Sequence, residues 1–330
     1  MTNQITMKAV VATRYGGPEV YKIAELPKPT PKPNEILVRV KAASATTADS
    51  MIRTGKPYFG RLFIGFRKPR KATPGTGFAG IIESLGAEVD AFKIGDRVFG
   101  ETLFNFSSNA EYICVPANGV VLKMPQNLQF AEAASFCDGH LTSYNFLSNI
   151  VALKKGDKVL INGASGSLGV SAIQIAKYFG AEVTAVCSQR NIGLVESLGA
   201  DHTINYQSQD FTQSNDKYDF IYDTIGKSSF KKTKAILKPN GKYLSPVLNF
   251  PLLVQMLLTS LKGGKKAIFE ATGSNKPAKL KTMLKGVMDV YKTGKLKTVI
   301  DRQFPLEKIA EAHRYIDTGR KRGSIALINE

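Results

Sequence analysis

Cysteine is scarce in this chain of 330 residues: Cys114, Cys137 and Cys187 are the only three, and they lie far apart. That excludes a disulfide framework or a cysteine-rich zinc lobe and fits a reducing compartment. No uncharged run is long enough for a bilayer-spanning helix. The opening MTNQITMKAVVATRYGG lacks the charged-then-apolar layout of an export signal, so a soluble, cytoplasmic protein is expected. Acidic residues are short as well: 27 Asp and Glu stand against 45 Lys and Arg, a formal charge of +18. The basic residues gather at 67–71, 227–238, 262–266, 276–297 and 320–322. Such a field attracts phosphorylated ligands, nucleic acid and anionic membranes without specificity. No reader motif or stripe of interleaved aromatics accompanies it, so the reading is a solvated surface with no specific nucleic-acid partner. Apolar content, at 43%, is ordinary, so disorder is not expected and the length allows two domains.

What is present centres on residues 158–190, KVLINGASGSLGVSAIQIAKYFGAEVTAVCSQR. A short apolar run (159–161) precedes a turn with Gly163, Gly166 and Gly169, then come an amphipathic run (170–179) and a β-branched run (183–186). Strand, glycine turn, helix and strand in this register mark a dinucleotide phosphate site. Gly163 turns the chain off the strand, Gly166 lets the backbone approach a pyrophosphate, and Gly169 lets the helix lie close to the strand. Ser165, Ser167 and Leu168 complete the turn, whose helix-start amides face the anion in the favourable field of the helix dipole. The spacing is G-x-x-G-x-x-G rather than G-x-G-x-x-G, so the first turn is not the usual one.

A site for the unphosphorylated cofactor places Asp or Glu near the end of the second strand to hold the ribose hydroxyls. Here that place holds Cys187, Ser188, Gln189 and Arg190, while Glu182 is at the wrong end of the strand and Glu196 lies in the next helix. A small hydroxyl with a guanidinium suits a 2′-phosphate, so NADPH is the expected cofactor. The alternative for Arg190 is a solvated charge at a helix start.

Before the glycine turn, short alternating runs broken by glycine, proline and Asp turns (8–11, 20–23, 35–42, 75–86, 92–100, 110–115) predict a β-rich, barrel-like domain. The polar stretch SATTADSMIRTG (44–55) reads as a strand end able to line a cleft, and 130–150 reads as helical. After residue 190, strands and helices alternate as in a doubly wound parallel sheet. Within it, VLNFPLLVQMLLTSL (247–261) reads as a packed helix, the alternatives being a cleft border or a dimer contact. A strand, helix and strand over 299–330 suggest that the chain returns to complete the first domain. The expected organisation is α/β, with residues 1–126 and 295–330 in one discontinuous domain and 127–294 in a Rossmann-type domain.

Over nearly its whole length the chain resembles a medium-chain dehydrogenase/reductase of the zinc-free quinone and enone reductase branch. The residues that carry the resemblance are GGPEV (16–20), the run 42–55, PGTGFAGIIE (74–83), 93–100, NGASGSLG (162–169), LGADHTINY (198–206) and PLEKIAEAHRYIDTGRKRG (305–323). It implies a GroES-like β-barrel catalytic domain beside the Rossmann-type sheet, and a homodimer. Where zinc-dependent relatives carry Cys, His-Glu and Cys, this chain has Thr46, Thr76-Gly77 and a position near Asp138, so no metal is expected. The resemblance further implies catalytic roles for Thr46 and Asp49, although Thr46-Thr47 replaces the Asn-Pro of many relatives, and Tyr58 is read beside them as a candidate extra donor. Thr142 would touch the nicotinamide or its ribose and Tyr206 the 2′-phosphate side. Ile225 and Ser245 would line the cofactor cleft, and Arg322 would reach the cofactor from the tail. The activity implied is NADPH-dependent hydride transfer to a quinone or an α,β-unsaturated carbonyl. The alternatives are an alcohol dehydrogenase of the same superfamily, or an NADPH-binding protein without turnover whose basic face meets nucleic acid or a membrane surface.

Overall fold

The computed structural model describes residues 5–261 and 263–329, so the first four residues of the amino-terminal stretch and Lys262 of the 262–266 cluster lie outside the described residues. The chain divides into two units, Met1–Asp138 with Lys276–Lys281 and Thr298–Glu330, and Gly139–Asn275 with Thr282–Lys297.

In the first unit β1 (Thr6–Val11) and β2 (Lys22–Pro27) pair antiparallel, as their alternating sequence predicts. The long strand β3 (Glu35–Ala45) is followed by α1 (Thr47–Thr54) and the short α2 (Arg61–Ile64). The polar stretch 44–55 thus ends β3 at Ala45, as expected, but most of it is helix, from Thr47 to Thr54. The buried residues of the helix are the polar Asp49 and Arg53, Thr46 and Asp49 form a capping box at its start, and Gly55 ends it in the left-handed region at φ 62°. Next come β4 (Gly77–Leu85), β5 (Arg97–Glu101), β6 (Tyr112–Pro116) and β7 (Val120–Lys123), all antiparallel: β4 and β6 pair with β3, β5 with β4, and β7 with β5. The region 130–150 is helical as expected, but irregular: α3 (Phe130–Ala134) and α4 (Thr142–Tyr144) are separated and followed by the π-helical turns Cys137–Leu141 and Asn145–Ile150.

The second unit holds β8 (Lys158–Asn162), α5 (Ser167–Tyr178), β9 (Glu182–Cys187), α6 (Ile192–Ser197), β10 (His202–Asn205), β11 (Tyr218–Asp223), α7 (Phe230–Thr233), β12 (Leu237–Ser245), α8 (Phe250–Ser260) and β13 (Lys266–Phe269). Its strands form a six-stranded parallel sheet in the order β10-β9-β8-β11-β12-β13. The direction of progression reverses between β8 and β11, and in open sheets of this kind ligands bind outside the carboxyl ends of the strands at that point. Helix α8 corrects one expectation. Leu252 is buried, but Phe250, Leu253, Leu257 and Leu258 are exposed, so the helix is packed along one side only. Its sequence is apolar all round, and apolarity alone does not say which side is covered.

After α9 (Pro277–Lys292) the chain continues through β14 (Ile300–Pro305), α10 (Ile309–Asp317) and β15 (Ser324–Ile328). β15 pairs antiparallel with β3, from Ile325 opposite Ala45 to Ile328 opposite Ala42, so the tail adds a strand to the first unit's sheet. Val38, Val40, Phe78, Ile82, Ile309 and Ile325 share its core. Among the described residues no helix is long and apolar enough to cross a membrane.

Candidate active site

At the end of β8 the three glycines have different reasons to be glycine. Gly163 has φ 76°, and a Cβ there would lie 2.7 Å from the Thr224 hydroxyl and from an Ile225 methyl. A Cβ on Gly169 would overlap the Gly163 carbonyl oxygen and sit 2.5 Å from the carbonyl carbon of Ala164, so the first turn of α5 lies hard against the glycine turn. Gly166 is different: its Cβ would meet only the Gly163 oxygen, at 3.5 Å, and its backbone is extended. Nothing in the protein requires glycine there. It is the N-cap of α5, and no side chain caps that end. A bare helix start with vacant space at its cap fits a dinucleotide pyrophosphate. Ser165 ties this turn to the next, its hydroxyl accepting from Asn191 Nδ2 at 2.8 Å.

Ser188, Arg190 and Tyr206 come together at one corner. Ser188 is the N-cap of a turn Gln189–Asn191 that begins where β9 ends, and the Tyr206 amide donates to Cys187 O at 3.1 Å from the end of neighbouring β10. Asn205 Nδ2 donating to Gln189 Oε1 at 3.1 Å fastens the two ends. Ser188 is buried, while Arg190 and Tyr206 are exposed. Thr142 opens α4, and the next residue, Ser143, donates to Leu168 O at 2.8 Å, which holds α4 to the start of α5. Ile225 is exposed just past β11, whereas Ser245 ends β12 fully buried with its hydroxyl 3.2 Å from the Val247 amide it accepts from. Arg322 lies in the tail with its amide donating to Asp301 Oδ2 at 2.9 Å.

One residue that organises these strand ends escapes a reading of the sequence as a buried strand. Asp223, fully buried at the end of β11, accepts from Asn162 Nδ2 (2.9 Å), the Gly226 amide (3.0 Å), the Ser228 amide (2.8 Å) and Tyr243 Oη (2.7 Å). It clamps the turn after β11 to β8 and β12. The available signal was an acid closing an apolar run just before Thr-Ile-Gly.

In the first unit Thr46 and Asp49 are both buried and bonded to each other. The Thr46 amide and hydroxyl donate to Asp49 Oδ2 at 2.9 and 2.8 Å, and the Asp49 amide donates to Thr46 Oγ1 at 3.0 Å. Burial pushes the Asp49 carboxyl up to about 6, against the pull of the two Thr46 bonds, and the charge of Asp138 adds to the rise. Glu101, at the end of β5, is pushed up to about 7 by burial, opposed by a hydrogen bond with Thr76 and reinforced by Asp138 and Asp49. Lys321, in a run read from sequence as surface charge, has its amine held below the usual lysine range by burial, with Asp138 and Asp301 opposing. No sequence signal marks Glu101 or Lys321, because their surroundings are assembled from distant segments. Tyr58 is not joined to this group: it is exposed, with the Arg61 guanidinium 4.8 Å over its ring. Burial holds His140 and His313 down to about 3 and therefore neutral, in keeping with structural roles.

The positions that the resemblance gives to zinc ligands do not fit a catalytic zinc. Thr46 is committed to the cap of α1, the Thr76 hydroxyl meets Glu101, and Gly77 has no side chain. Among the described residues no group of three or more His, Cys, Asp or Glu could hold an ion.

Comparisons with known proteins place the chain among related sequences and structures. Residues 32–126 match the model of the alcohol dehydrogenase GroES-like domain, and residues 198–327 that of the zinc-binding dehydrogenases. The chain is 30% identical over 328 residues to a quinone oxidoreductase of Homo sapiens, with 96% of each chain covered. It is 29% identical to a chloroplastic NADPH-dependent alkenal/one oxidoreductase of Arabidopsis thaliana, over 97% of this chain and 79% of the other. The solved structure of a quinone oxidoreductase from Coxiella burnetii superposes with a TM-score of 0.88 at 28% identity, covering 99% of this chain and 100% of that one.

Proposed function

The chain belongs to the medium-chain dehydrogenase/reductase family, in its quinone oxidoreductase-like branch, and from that premise we propose that it is an NADPH-dependent oxidoreductase needing no zinc, which passes hydride to a quinone or an α,β-unsaturated carbonyl. The observation that carries this reading is the closed Thr46–Asp49 pair, which stands where zinc-dependent relatives place a ligand. Without a Lewis acid, oxidising an alcohol loses the metal's polarisation of the oxygen. Reducing a conjugated acceptor requires only donors for the oxygen on which charge develops.

NADPH supplies the hydride when bound. The amides of the Gly163–Gly169 turn hold its pyrophosphate, and Ser188, Arg190 and Tyr206 hold the 2′-phosphate. Thr142, Ile225 and Ser245 border the remainder of the cofactor. Thr46 and Asp49 face the acceptor. Asp49 at about 6 and Glu101 at about 7 keep protons available near neutral pH. The three free thiols support a cytoplasmic setting, and the family resemblance supports a homodimer.

The test is a steady-state survey of quinones, enones and aldehydes with NADPH and with NADH, alongside elemental analysis. Turnover of a quinone or enone with NADPH, in a preparation free of zinc, is expected. Binding of NADPH with no acceptor able to consume it, or stoichiometric zinc whose removal abolishes turnover, would overturn the reading.

A further inference from the structure

Helix α8 has two apolar sides. Leu252 and Met256 pack into the core of the second unit, and the Ala267 amide donates to Thr259 Oγ1 at 3.2 Å, so the stripe 252, 256, 259 faces β13 and the protein. The opposite stripe is Phe250 (78% exposed), Leu253 (41%), Leu257 (63%) and Leu261 (88%) just past the helix, with Leu258 (54%) beside it. These positions recur every three or four residues, so they form one continuous ridge. An apolar ridge presented to water on an otherwise well-packed domain marks a place of interaction.

The surroundings identify the partner's chemistry. From Thr224 to Phe269 the sequence contains nine lysines and no Asp, Glu or Arg. Helix α8 packs against α7 and β13, and exposed Lys231, Lys232 and Lys234 lie on and just after α7, with exposed Lys266 on β13. A second copy docking ridge to ridge would press two acid-free lysine fields together, and like charge across an interface opposes association. Nucleic acid would suit the lysines but leave an aliphatic ridge with nothing to stack on. Leucines on one face of a helix with lysines beside them match an anionic bilayer surface, where the ridge enters the acyl boundary and the ammonium groups stay among the headgroups.

We propose that α8 is an interfacial helix that docks this chain, in the plane of the membrane, on bilayers rich in anionic lipid. The proposal goes beyond the hydride-transfer reading and is independent of it, since no residue used here belongs to the candidate active site.

The full chain would be floated with vesicles of phosphatidylcholine alone and of phosphatidylcholine with about a third phosphatidylserine. It is expected to rise with the anionic vesicles and to stay behind with the neutral ones. The doubly substituted chain Leu253→Glu with Leu257→Glu is expected to bind about tenfold or more weakly, with an unchanged melting temperature because both positions face solvent. The chain has no tryptophan. Leu257→Trp therefore provides a single reporter, whose emission should shift to the blue on anionic vesicles and be quenched by lipids brominated in the acyl chain. Three results would overturn the proposal. One is equal binding of the Glu variant, which would leave the lysines alone responsible. Another is self-association of the native chain, without vesicle binding, that the Glu variant abolishes. The third is retention on an RNA oligonucleotide with no vesicle binding.

Discussion

Two helix starts in this molecule are built in opposite ways. Helix α1 begins at Thr46, whose side chain and amide are closed on Asp49 in a reciprocal cap. Helix α5 begins at Gly166, with no side chain at the cap and open space where a Cβ would be. The first start satisfies its own donors and gains stability, about 1 kcal/mol for a good cap. The second forgoes that gain, and its amides remain turned toward whatever anion arrives. The contrast teaches that a missing cap, at a place where glycine is not sterically required, is a better mark of a ligand site than glycine content alone.

The comparison can be broken most severely at the glycine turn. Gly169→Val places a branched side chain against the backbone of Gly163 and Ala164, which has no slack to yield. A loss of about 3 kcal/mol or more, seen as a large drop in melting temperature or failure to fold, is expected. Gly166→Ala has room and an extended backbone, so its stability should change by no more than about 1 kcal/mol. Its NADPH affinity, measured by fluorescence titration, should nevertheless fall about tenfold or more. If both variants lose only stability, the turn is merely structural and the contrast between the two helix starts fails.

The second unit was the more legible of the two because its strands are short β-branched runs bounded by glycine, and their alternation with helices has few topological solutions. The strand, helix and strand of the tail are legible as elements because their short apolar runs alternate and are bounded by turn residues. Helix α1 is harder to read because it buries Asp49 and Arg53, although the Thr46-x-x-Asp49 cap and Gly55 after it are both in the sequence. Which side of α8 would be covered was not legible, since a helix apolar all round gives no phase. Lys321 and Glu101 illustrate the deeper limit. Desolvation depends on what other segments bring near, and no local window of sequence contains that.

Arg190 sharpens the comparison from the ligand's side. If the open start of α5 takes a pyrophosphate and the corner at Ser188 takes a 2′-phosphate, then Arg190→Ala should weaken NADPH by about 10–100-fold, the worth of a charge-assisted contact. NADH should bind as before, as it has no 2′-phosphate. Equal weakening of both cofactors would place Arg190 outside that corner's chemistry.

Glu101 tests the buried acids of the first unit. Its folded value of about 7 lies above the ordinary 4.5, so folding takes up a proton between the two. Its contribution to stability is therefore fullest below the ordinary value and is lost as pH rises through 7. With the shift discounted for the partial exposure of this side chain, the loss is about 1–3 kcal/mol. Melting curves of the native chain should fall between pH 5 and 8 by more than those of Glu101→Gln, which has no such proton to lose. Parallel curves would remove Glu101 from the proton inventory of the site.

The smallest effect expected is at the closed helix start itself. Thr46→Ala removes an acceptor for the Asp49 amide and a donor to its carboxylate, which costs about 1 kcal/mol. Thr46→Ser keeps both and should cost little. The Thr46 hydroxyl is also one of the bonds that hold the Asp49 carboxyl down against burial, so without it the carboxyl must rise above 6. Because a raised carboxyl loses stability as pH increases, the Ala variant should be further below the native chain at pH 8 than at pH 5. A deficit independent of pH would mean that the hydroxyl acts as a cap and nothing more, and the proton assigned to Asp49 would then have to be sought at Glu101.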